Sequence, residues 1–165
     1  MKWTVGTRLA AGFGAAVAIF VIVGLVSHRA TQETIAAGKL REHTYSVLTE
    51  LTAFPMHLKE VESNQRSYIL TGDEAYLEVY RKAREQVEPS FDRLRELTRD
   101  NARQQARLDR IEPLKLQRLE VSDRGIALRR DQGAAAAQAH VNSGEGKTLM
   151  ANVLRITREM ETEER

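Results

Sequence analysis

The residues best placed to do chemistry lie in one short stretch: Glu62, Gln65, Arg66, Tyr68 and Thr71. Gln65 interrupts an apolar helical stripe, so its amide must find a partner inside the fold or face a cavity. Glu62 and Arg66 are one helical turn apart and can pair. The set reads as a polar clasp locking the end of a helical hairpin, with ligand contact as the second reading. Other candidates fail on spacing. Gly144 to Thr148, GEGKT, resembles part of a phosphate loop, yet the motif needs glycine where Val141 stands and a strand before it. His28, His43, His57 and His140 never fall three or four residues apart, and no Glu-x-x-His pattern occurs. No serine sits in a glycine-flanked elbow. Arg99, Arg103, Arg107 and Arg110 could hold an anion or a lipid headgroup, but Glu96, Asp100 and Asp109 beside them favour a solvated, ion-paired face. The sequence therefore predicts no catalytic residue, no cofactor, no metal centre and no enzyme among these residues.

The elements that must position the clasp are helices. From Leu9 to Val26 the chain carries no charge, amide or hydroxyl. At 1.5 Å per residue that run covers roughly 27 Å, enough for the apolar layer of a bilayer. The segment after it, Ser-His-Arg-Ala-Thr-Gln, is a poor signal cleavage site, which favours an uncleaved anchor. Leu40, Val47, Leu51, Phe54, Leu58, Val61 and Tyr68 follow in alternating steps of four and three, with Thr44 and Gln65 filling the gaps. That is the stripe of a left-handed helix bundle, continuous with the anchor in one rod from about residue 8 to about residue 71.

Gly72 suits a left-handed helix end and Asp73 the cap of the next helix, which buries Leu77, Tyr80, Val87, Phe91 and Leu94. Asn101 and Gln104 read as a capping box opening a third helix, whose thinner stripe is Leu108, Ile111, Leu119 and Ile126. A short alanine-rich segment, Ala134 to Val141, and a loop, Asn142 to Gly146, precede a last helix with Leu149, Val153, Ile156 and Met160. Pro55, Pro89 and Pro113 fall at one level of such an up-down-up-down arrangement.

The 165 residues leave room for one domain beside the anchor. Of 25 basic residues, Lys2 and Arg8 precede the anchor, leaving 23 against 23 acids beyond it. A neutral domain poor in aromatics gives no support to nucleic-acid binding. Cysteine is absent, excluding disulfides and thiolate chemistry. The expected fold is all-α: a tail over 1–8, a transmembrane helix over 9–27, and an antiparallel four-helix bundle over 28–165.

The stretch VESNQRSYILTGDEAYLEVYRKA, Val61 to Ala83, resembles the signature of the third class of CHASE domains. Leu97 to Leu114 and Ser143 to Arg165 resemble the later helices of that family, so the likeness spans 30–165. The matching positions are Gln65, Arg66, Tyr68, Leu70, Thr71, Gly72, Tyr76 and Leu77, while Ser67 and Ile69 replace a glycine and a leucine. Gly72 and Tyr76 thereby join the candidate set. The resemblance implies an extracytoplasmic sensory module of a bacterial inner-membrane receptor, most often a histidine kinase and sometimes a cyclase, a cyclic-dinucleotide enzyme or a chemotaxis-type transducer. It further implies a second span and an output module beyond Arg165. The expected partners are membrane lipid, a second copy through the long helices, and an extracytoplasmic ligand or protein. The alternative is a complete membrane-anchored helical scaffold.

Overall fold

The computed structural model describes residues 5–164; before Arg41 it describes only the side chains of Gly6, Phe13, Gly14, residues 20–25, Ser27, His28 and Gly38. Among the described residues there are five helices and no strand: α1 (Val5–Thr71), α2 (Ala75–Leu97), α3 (Ala102–Gln132), α4 (Ala134–Asn142) and α5 (Glu145–Glu164). The chain divides into two units, Met1–Glu42 and His43–Arg165. In the first, Phe13, Phe20, Val21, Ile22, Val23 and Leu25 are all exposed. Among the described residues no helix is long and apolar enough to cross a membrane. Within the expected span, the side chains of 9–12, 15–19 and 26 lie outside the described residues, as does that of Leu40 in the stripe.

The second unit is a helical bundle built on stripes that no single helix could bury alone. Val47, Leu51, Phe54, Leu58 and Val61 of α1 are fully buried. They share one core with Leu77, Tyr80, Val87, Phe91 and Leu94 of α2, Leu108 and Ile111 of α3, and Val153, Ile156 and Met160 of α5. Neighbouring helices run antiparallel, because their contacts pair early residues of one with late residues of the next. Between α2 and α3, Tyr80 meets Asp123, Glu88 meets Lys115 and Arg95 meets Asp109. Between α3 and α5, the Gln104 amide donates to the Met160 carbonyl at 3.2 Å, and Arg107 pairs with Glu163. The Arg107 guanidinium, hydrogen-bonded to it, holds the Glu163 carboxyl below the ordinary carboxylate range.

Three helices run through their prolines without a break. Side chains beside those prolines meet at one level: the Phe54 and Phe91 rings lie 5.4 Å apart, and Lys115 Nζ lies 4.1 Å from the Phe91 ring. Buried Lys115 reaches the surface only through Glu88, 2.5 Å from its ammonium.

The turns are made by specific residues. Gly72, at φ 74°, donates its N–H to the Tyr68 carbonyl at 2.8 Å and closes α1. The Asp73 carboxylate accepts from the Ala75 N–H at 2.9 Å and opens α2. Asn101 Oδ1 accepts from the N–H groups of Arg103 and Gln104 at 3.1 and 3.2 Å. The other half of the expected capping box is not made, because the Gln104 side chain is buried and donates to α5 instead. The alanine-rich segment is a full helix, α4, and only Ser143 and Gly144 separate it from α5.

Gly72 faces a second constraint. A Cβ there would lie 2.7 Å from Nη2 of Arg129, so the guanidinium occupies the space a side chain would need. Gly72→Ala is expected to lower the unfolding free energy by at least about 1–2 kcal/mol from left-handed strain alone. Urea denaturation followed by circular dichroism checks it.

Candidate functional site

Arg118 is among the largest fully buried side chains of the bundle, 2% exposed in the middle of α3. Its Nη2 lies 3.1 Å from Glu62 Oε2 on α1 and its Nη1 donates to Ser122 Oγ at 2.6 Å, one turn along α3. Its Nε has no partner. The other oxygen of Glu62 takes Nη2 of Arg66 at 2.8 Å. One carboxylate thus serves two guanidiniums, one inside and one at the surface.

Gln65, one turn on from Glu62, is also buried. It packs over Gly125 of α3, where a Cβ would sit 2.3 Å from Gln65 Nε2 and 3.2 Å from Ile69 Cδ1. Glycine is therefore required for α1 to approach α3 this closely. From α4, His140 Nε2 lies 2.9 Å from the Val121 carbonyl, so that nitrogen carries the proton. Glu62, Gln65, Arg118, His140, Gly146 and Lys147 line a pocket of about 20 Å³ between α1, α3, α4 and the start of α5.

The candidate residues thus separate into three groups. Glu62, Gln65 and Arg66 come together. Thr71 and Gly72 form the hairpin turn, where the Thr71 hydroxyl donates to the Ser67 carbonyl at 2.8 Å and accepts from the Asp73 N–H at 3.1 Å. Tyr68 is buried in the core and Tyr76 packs against its edge. Among the described residues no cluster of His, Asp or Glu could hold a metal ion. Of the four arginines near the second turn, Arg99 pairs with Glu96, Arg107 with Glu163 and Arg110 with Glu159. Asp109 pairs instead with Arg95, 2.9 Å away.

Sequence reasoning missed the α3 half of the site. Its signal was present: Gln104, Leu108, Ile111, Lys115, Arg118, Ser122 and Gly125 step by four and three, and all seven are buried. Only two of them are large and apolar, so the stripe looked thin. A further polar contact lies nearer the tip, where Tyr80 OH donates to Asp123 Oδ1 at 2.6 Å. Burial, and then the Asp123 carboxylate, push that phenol well above its ordinary range.

The site is a charged, solvent-poor cluster inside an all-helical bundle. Residues 37–165 match the CHASE3 domain model, and the chain belongs to this family. It is a sensory input domain of a signalling receptor. Its fold is similar to the crystal structure of the sensor domain of a Rhodopseudomonas palustris histidine kinase, HK9. The TM-score is 0.63 at 24% identity, over 71% of this chain and 91% of that one. No curated protein matches the chain significantly.

Removing Glu62 strands a buried guanidinium. Glu62→Ala is expected to cost about 3–5 kcal/mol of stability, whereas the double replacement Glu62→Leu with Arg118→Met restores most of it, since an apolar pair of similar volume needs no counter-charge. Urea denaturation of the three variants checks both halves.

Proposed function

We propose that this chain is the extracytoplasmic input domain of a bacterial inner-membrane receptor, anchored through 9–27 with a cytoplasmic tail over 1–8, and that a histidine kinase forms its output. The observation that carries this reading is α1, Val5–Thr71, which contains both the charge-free run and the first core stripe of the bundle with no intervening loop. The described apolar side chains of the run support the anchor: Phe13, Phe20, Val21, Ile22, Val23 and Leu25 are between 55% and 79% exposed. That surface is costly in water and costs nothing against hydrocarbon.

In this reading Glu62, Gln65 and Arg66 form a clasp with Arg118 that couples α1 to α3, while Tyr68, Thr71, Gly72 and Tyr76 hold the hairpin end. A stimulus that alters the clasp displaces α1 by piston, tilt or rotation. The receptor is a homodimer through α1, whose exposed Tyr45, Met56 and Leu70 recur at intervals of eleven and fourteen residues, one side of a helix.

Topology is tested with fusions. Alkaline phosphatase after Arg165 is expected to be active, and a green fluorescent protein before Met1 fluorescent; the reverse result overturns the orientation. The dimer is tested with cysteine, since the chain has none. Met56→Cys is expected to form a disulfide-linked dimer under mild oxidant in membranes, and Arg124→Cys on α3 is not; equal yields overturn the α1 interface.

A further inference from the structure

A second pocket, of about 400 Å³, lies in the groove between α2 and α3, towards the end of the bundle that holds the Gly72 turn. Tyr80 stands opposite Asp123 and Glu74 opposite Arg130, so the groove extends along about two helical turns, roughly 10 Å. Its floor is apolar, made by buried Leu77 and Ile126 and the Tyr80 ring, and Ala127 adds only a methyl group to its wall. At the end far from the turn, Asp123 is fully occupied. One of its oxygens accepts from Tyr80 OH at 2.6 Å and the other lies 3.1 Å from Arg84 Nη2.

The charges at the other end are not engaged in this way. Arg130 and Asp131 both line the pocket. Arg130 has one loose ion pair, its Nη2 3.7 Å from Glu74 Oε2. Asp131 has neither an ion pair nor a hydrogen bond among the described residues. Side chains of adjacent helical residues project about 100° apart, so these two do not neutralise one another. Asp131 also has the wrong sign for its place in the last turn of α3. Gly133, at φ 86°, ends that helix, and among the described residues no backbone N–H returns to its last carbonyls, which adds partial negative charge near the carboxylate. The preceding Arg129 is turned aside, its Nη2 filling the space next to Gly72. An acid held there without a counter-charge costs stability, and a cationic group in the pocket offsets that cost.

We propose that this groove binds a free α-amino acid with an apolar side chain. Arg130 holds its carboxylate, Asp131 and the open end of α3 take its ammonium, and its side chain lies on Leu77 and Ile126. An α-amino acid carries both charges on one carbon, matching two side chains that are neighbours in the chain; a simple acid or amine leaves one of them unmatched. The site is separate from the Glu62 and Arg118 clasp, and binding there depends neither on that clasp nor on the membrane topology.

The test is thermal unfolding of the full chain in detergent, at constant pH and ionic strength, with leucine, isocaproate (leucine without its ammonium) or isoamylamine (leucine without its carboxylate). Leucine is expected to give a saturable rise of about 3–6 °C at ten times its dissociation constant. Each analogue is expected to bind about tenfold more weakly or worse. Asp131→Asn is expected to fold with an unliganded melting temperature no lower than the parent's, since the charge it removes is unfavourable. Asp131→Asn and Arg130→Gln are each expected to weaken leucine about tenfold, and Arg99→Gln, beyond the opposite end of α2, to leave it unchanged. No saturable rise with leucine, an equal rise with either analogue, a lower melting temperature for unliganded Asp131→Asn, undiminished affinity in either pocket variant, or the same weakening in Arg99→Gln overturns the proposal.

Discussion

A guanidinium buried in a protein interior demands a carboxylate, and the placement of the α helices around Arg118 answers that demand. Glu62 reaches it from α1, Ser122 from its own helix, and Gly125 and Gly146 give way so that α1 and α5 can close over it. Apolar stripes drive the four long helices together. They do not by themselves say which rotation of α3 faces inward, since a helix with Leu108, Ile111, Leu119 and Ile126 could satisfy its apolar residues in more than one way. The Arg118–Glu62 pair ties one face of α3 to α1, at a cost in desolvation.

Much of this was legible in the sequence. The α1 stripe from Val47 to Tyr68, the α2 set from Leu77 to Leu94 and the α5 set from Leu149 to Met160 are all buried as their spacing implied. Gly72 and Asp73 make the turn their chemistry suggests, because a left-handed end and a cap are local properties. What could not be read is non-local. Gln104 has the right spacing to return a bond to Asn101, but its amide is claimed by Met160, far along the chain. Lys115 and Arg118 look like solvated residues until a second helix supplies the partner. Periodicity detects apolar residues, and a buried cation is silent to it.

The same blindness explains how the candidate set divided. Glu62, Gln65 and Arg66 face α3 and belong with Arg118, whereas Tyr68 occupies a core step and Thr71 serves its own turn. Adjacency in sequence brought them into one list. The helical rotation of 100° per residue separated them.

The two charged positions of α3 have a consequence for how the bundle can move. Lys115 meets Glu88 of α2 and Arg118 meets Glu62 of α1, at neighbouring heights on opposite flanks. Sliding α3 by one heptad would carry each cation about 10 Å along the axis, bringing Arg118 to the height now held by Ile111. Each cation would leave the carboxylate it now holds. The assembly is therefore notched like a key: a slide of α3 against its neighbours breaks both pairs at once.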